Sequence, residues 1–102
     1  MSSRIPQHYQ TIKQQHPDYI DAVEALGQAL KASGPLDELT AQLVQLAAAV
    51  AIRSEGAVHS HAKRARQSGA SDEQIEHTII LLTSTIGFPA VMAALSWVKD
   101  QG

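Results

Sequence analysis

At 102 residues and 44% hydrophobic content, the chain is long enough to bury one modest core, and residues 1–102 read as a single domain. A net charge of −2, from 8 basic and 10 acidic residues, excludes a broad electrostatic footprint for nucleic acid or an anionic membrane surface, so neither partner is expected. The absence of cysteine excludes disulfides, zinc–thiolate sites, iron–sulfur clusters and cysteine nucleophiles.

Aromatic residues make up only 4% of the chain, and alanine and leucine supply much of its apolar content, which favours closely packed helices and an all-α fold. Met1 to Pro6, and at most to His8, is polar and unpatterned and reads as a flexible lead-in. It lacks the apolar core of a signal peptide, and the longest apolar run, Leu43 to Ile52, is too short to span a bilayer and contains Gln45. A cytoplasmic location is expected.

The first firm helix starts at Pro17 and Asp18, with proline suited to the first turn, and runs to Ala32 before Ser33-Gly34-Pro35. Tyr19, Val23, Leu26 and Leu30 form its apolar stripe. A second helix opens near Leu36 and Asp37 and carries Leu39, Leu43, Leu46 and Val50, with alanines on its other faces, which predicts a central position. A third, from about Ser54 to Gln67, ends at Ser68-Gly69. Ser71 and Gln74 read as a capping box for a fourth helix through Ile75, Ile79, Ile80 and Leu82, ended by Gly87. Pro89 marks the first turn of a last helix, buried through Val91, Met92, Leu95 and Val98. The expected architecture is a compact bundle of five or so helices.

The run from Leu43 to Leu95 resembles the core of the carboxymuconolactone decarboxylase and alkyl hydroperoxidase D superfamily. Three features carry the resemblance: the alanine-rich helix running into Arg53, the segment from His61 to Gly69, and the step Gly87-Phe88-Pro89-Ala90. The resemblance implies a helical fold that assembles as a homotrimer or homohexamer. In the hydroperoxidase branch two cysteines, a histidine and a glutamate form a thiol proton relay; here those positions fall on Ser54, Ala57, His61 and Gln42, so only His61 is kept. Peroxide reduction by that route needs a thiolate able to pass through sulfenic acid to a disulfide, which serine and alanine cannot supply. The decarboxylase branch dispenses with the cysteines and needs no metal or organic cofactor. Its likeness implies a lyase or isomerase acting on a small carboxylated lactone or acid, with His61 and Glu55 transferring protons.

Helical spacing sets limits on this site. Ser54, Ala57, Val58, His61 and Ala65 share one face, but Ser54 and His61 are about 10.5 Å apart along the axis, too far for a nucleophile–base bond. Glu55 and His59 stand at i and i+4, about 200° of rotation away from the face of His61. His59-x-His61 is therefore a poor metal clamp, His8, His16 and His77 add no second motif, and no metal is expected. Gln42, Ser54, Thr83 and Arg53 are the candidate substrate-binding residues around His61 and Glu55.

Each has a plainer reading. His61 is either a reacting group or a buried histidine satisfied by Gln42 or a carbonyl, while the hydroxyls of Thr83, Ser84 and Thr85 commonly bond back to their own helix. Lys63, Arg64 and Arg66 beside Arg53 read either as a receptor for an anionic ligand or as a solvated helix face. Phe88, Met92 and Trp97 suit core or subunit contacts. The second functional reading is a non-catalytic oligomeric binding or scaffold protein that has lost the redox site.

Overall fold

The computed structural model describes residues 7–99, so the lead-in Met1 to Pro6 lies outside the described residues. These form seven helices: α1 (Gln7–Gln15), α2 (Pro17–Ala32), α3 (Glu38–Ala51), α4 (Glu55–Gln67), α5 (Asp72–Ile80), α6 (Thr83–Ile86) and α7 (Phe88–Lys99). The all-helical expectation holds, and the sequence boundaries of the helices at 17, 55, 72 and 88 fall within a residue or two of those observed. Two compact units are present: α1 with α2, and α3 through α7.

In the first unit, α1 is a helix where sequence patterning indicates none, because it buries no residue and so lacks an apolar stripe. Polar groups fasten it to α2: the Tyr9 hydroxyl donates to the Glu24 carboxylate, and Lys13 Nζ lies 3.2 Å from the same group. The hydrogen bond and charge of Glu24 push the Lys13 ammonium above its ordinary pKa. Pro17 occupies the first turn of α2, where its missing N–H costs nothing. The stripe of α2 is solvent-facing in this chain: Tyr19 is 62% exposed, Leu26 58% and Leu30 57%.

The second unit is built around α3, which packs on α4, α5 and α7. Leu46, Ala49 and Val50 of α3 meet Val58, Ala62 and Ala65 of α4, Ile75 and Ile79 of α5, and Val91, Ala94 and Val98 of α7 in one core cluster. Alanine at 49, 62, 65 and 94 keeps those contacts short, while full burial of each of Leu46, Ile75 and Ile79 contributes about 1.5–3 kcal/mol. Trp97 packs partly against this cluster, whereas Phe88 and Met92 are exposed.

The expected fourth helix divides. The Thr83 hydroxyl donates to the Ile80 carbonyl at 2.7 Å, diverting that acceptor from the helical ladder, and Leu82 N–H bonds Ile79 O at 3.0 Å in a tightened turn. The chain resumes as the single turn α6, which Gly87 closes at φ 97°. At the start of α5 the capping box is complete: Gln74 N–H donates to Ser71 Oγ at 3.0 Å, and Ser71 N–H to Gln74 Oε1 at 2.9 Å.

Candidate functional site

The site lies where α3 turns into α4. The last turn of α3 closes through Arg53 N–H to Val50 O and Ser54 N–H to Ala49 O, both 3.0 Å, the paired bonds of a Schellman motif with Arg53 in the left-handed region at φ 57°. Ser54 then caps α4, its Oγ accepting from Ala57 N–H at 3.4 Å. This tight reversal lays α4 back against α3 and faces Gln42 with His61.

Gln42 is the buried polar side chain of the described residues, 1% exposed, and its Oε1 stands 3.0 Å from His61 Nδ1. An amide oxygen only accepts, so Nδ1 carries the hydrogen of this bond. The bond fixes both tautomer and orientation of the imidazole, the task a carboxylate performs in many acid–base sites. With a neutral amide in that role, the ring is oriented without a compensating negative charge for its protonated form.

His61 also lines an open hollow of about 240 Å³, together with Gln45, Ala48, Ala49, Ile52 and Ala57. Four aliphatic side chains thus meet two polar ones. No lysine, arginine or carboxylate lines it among the described residues. Gln45 Oε1 is shut off from water and has no hydrogen-bond partner among the described residues.

The other candidates sit elsewhere. Glu55 is exposed and its carboxylate lies 3.5 Å from His59 Nε2, the i, i+4 pair expected from spacing, and it does not line the hollow. Ser54 is occupied as a helix cap and the Thr83 hydroxyl bonds back to Ile80, so both hydroxyls serve their own backbone. Arg53 is exposed and has no partner among the described residues. Arg66 departs from the solvated-face reading: its Nε donates to Asp72 at 2.9 Å and its Nη2 to Val98 O at 3.3 Å, tying the end of α4 to α5 and α7.

Gln45, in sequence only a polar interruption of the apolar run Leu43 to Ile52, enters the site. The signal was present: an amide three residues after Gln42 on a helix otherwise apolar at those positions, within one turn of the same face. The described residues contain no group of three or more His, Asp or Glu side chains able to hold a metal ion, and no helix among them is long and apolar enough to cross a membrane.

Comparison with known proteins gives one consistent likeness. The sequence model of the carboxymuconolactone decarboxylase family matches residues 17–100. A protein described as uncharacterized protein 4 in the cox locus of Paracoccus denitrificans is 39% identical over 59 residues, which is 58% of this chain and 53% of that protein. The chain thus spans about half the length of that curated relative. Among solved structures, a carboxymuconolactone decarboxylase family protein from Legionella pneumophila, crystallised in its apo form, superposes with a TM-score of 0.76 at 24% identity, over 90% of this chain and 82% of that one. At that identity the likeness establishes the shared fold.

Proposed function

The chain belongs to the carboxymuconolactone decarboxylase family, and we propose that it works there without thiol or cofactor chemistry, as a lyase or isomerase that moves a proton on a small organic substrate bound beside His61. The observation that carries this reading is the Gln42–His61 hydrogen bond at the wall of the hollow. It orients the imidazole in one tautomer, with the Nδ1 hydrogen directed at Gln42, at the edge of an open and largely aliphatic hollow. The sequence has no cysteine, so peroxide reduction through a thiolate has no nucleophile in this chain. Glu55, paired with His59, stands outside the reading.

A second reading, binding without turnover, is favoured by one specific fact: among the described residues His61 is the sole ionisable side chain lining the hollow, so a paired acid and base are lacking there. Self-association accompanies either reading, supported by the exposed stripe of Tyr19, Val23, Leu26 and Leu30 on α2, an apolar face suited to a second copy. Sedimentation velocity on the wild type and on Leu26→Glu tests that, the variant being expected to shift towards monomer.

Proton transfer is tested by following exchange of solvent deuterium into the enolisable C–H positions of a panel of small lactones, ketones and acids. Exchange should occur with the wild type and fall at least about 100-fold in His61→Ala, measured well below its melt, where the helical circular dichroism spectrum is retained. Equal exchange in both proteins removes the catalytic reading; ligand binding without exchange selects the second.

A further inference from the structure

The hollow beside His61 has a feature that proton transfer leaves unused. Gln45 forms part of its wall, yet Gln45 Oε1 is sealed from water and accepts no hydrogen bond from the described residues. A buried carbonyl that gives up its water without a replacement destabilises the folded chain, and native proteins rarely retain one without a use. Its neighbours in the wall cannot relieve it. Ala48, Ala49, Ile52 and Ala57 have no side-chain donor, and the Nδ1 hydrogen of His61 is committed to Gln42.

We propose that the hollow takes a small neutral alcohol with an aliphatic body, and that Gln45 Oε1 is the acceptor that selects it. The proposal rests on the reading of the hollow as a small-molecule site. The aliphatic wall covers the hydrocarbon part, and the volume of about 240 Å³ lies below the usual range for drug-sized ligands, about 300–1,000 Å³. The terminal torsion of a glutamine is broad and soft, so a small rotation turns the amide oxygen onto an incoming hydroxyl. The bond left unmet in this rotamer is then made to a donor in the hollow, and an alcohol, unlike water, also covers the aliphatic wall. A ketone of the same shape brings no donor. A carboxylate brings only acceptors, which would oppose Gln45 Oε1 in a hollow lined by no lysine or arginine.

Cyclohexanol, cyclohexanone and cyclohexanecarboxylate separate these cases, titrated into protein carrying labelled alanine methyl groups and followed at Ala49, Ala57 and the His61 ring by NMR. Cyclohexanol should bind at least tenfold more tightly than cyclohexanone, about 1.4 kcal/mol. Gln45→Met, which keeps the length of the side chain and removes the acceptor, should bring that ratio near one while retaining the ketone's affinity. Equal binding of alcohol and ketone by the wild type overturns the selection by Gln45 but leaves the hollow a ligand site. Tightest binding of the carboxylate overturns it as well, in favour of an acid. Resonances that move with none of the three overturn both this proposal and the site reading beneath it. Resonances that move with protein concentration, and not with alcohol, assign the hollow to a second copy and overturn the proposal too.

Discussion

Two turns of this chain solve the same geometric problem with different residues. At the end of α4, Gly69 N–H bonds Arg66 O at 3.0 Å and Ala70 N–H bonds Ala65 O at 2.9 Å; at the end of α3, Arg53 and Ser54 make the equivalent pair. The first turn places glycine at φ 105°, the second places arginine at φ 57°. An L-residue reaches the left-handed well near φ 50–70° at a cost of about 1–2 kcal/mol, but φ 105° lies beyond it. Glycine is thus demanded at 69 and only preferred at 53. The surroundings differ as well. The α4–α5 turn is followed by a complete capping box and held by the Arg66 strap. The α3–α4 turn has a single, longer cap bond and adjoins the hollow, where Ile52 and Ala57 flank it in sequence. Backbone strain in this unit therefore lies at the candidate site, the usual place for it in a protein whose site must hold one geometry.

The largest effect should come from the buried pair beside the strained turn. Gln42→Leu keeps the volume but strands the His61 Nδ1 hydrogen, which should cost about 1–3 kcal/mol in urea unfolding. Arg66→Met, which cuts the half-buried strap at the other turn, should cost no more than about 1 kcal/mol. Equal losses would erase the contrast between a buried polar link and a half-buried one. Gly69→Ala is close in size to the first: open space surrounds the added Cβ, so the whole cost is backbone conformation, about 2–3 kcal/mol by thermal melting because φ 105° lies outside the left-handed well. No measurable loss would mean that this turn relaxes to the φ that Arg53 adopts. The two helix caps give a finer comparison. Ser71→Ala breaks both halves of a capping box and should cost about 1 kcal/mol, while Ser54→Ala, with its 3.4 Å bond, should cost about 0.5 kcal/mol.

The same contrast marks what could be read from sequence. Ser71 with Gln74, Pro17, Gly69 and Pro89 act through local chemistry, and each fixed a helix end correctly before any tertiary contact was considered. Helix α1 escaped because its attachment is a polar contact across fifteen residues, from Tyr9 to Glu24, which leaves no periodic trace. The break at Leu81 and Leu82 escaped because a threonine hydroxyl outcompetes the ladder only in a particular backbone geometry. In the site, the Gln42–His61 bond is legible as one of two alternatives, and spacing places Gln45 near the face of Gln42, but its unpartnered oxygen leaves no trace, since an amide in an apolar run gives no sign of whether its oxygen finds a partner. The Arg53 turn was also hidden, because arginine carries none of the turn signal that glycine provides at 69.

Arg53 supplies the smallest expected effect and the sharpest one. Arg53→Gly relieves the left-handed strain, about 1–2 kcal/mol, but gives the unfolded chain more freedom, about 0.5–1 kcal/mol, so a net stabilisation of about 0.5 kcal/mol is expected. Arg53→Ala keeps the strain and removes only the guanidinium, which is exposed and has no partner among the described residues, so its stability should stay within about 0.5 kcal/mol of the wild type. The two variants together separate backbone from charge. If cyclohexanol binding weakens in both, the guanidinium is a ligand contact reaching the hollow from its edge. If binding at the hollow changes in Arg53→Gly alone, the rigid left-handed turn is what matters, because glycine loosens the hinge that sets α4 against α3. If neither changes, arginine at this turn is merely tolerated, and the contrast with Gly69 reduces to which φ each turn requires.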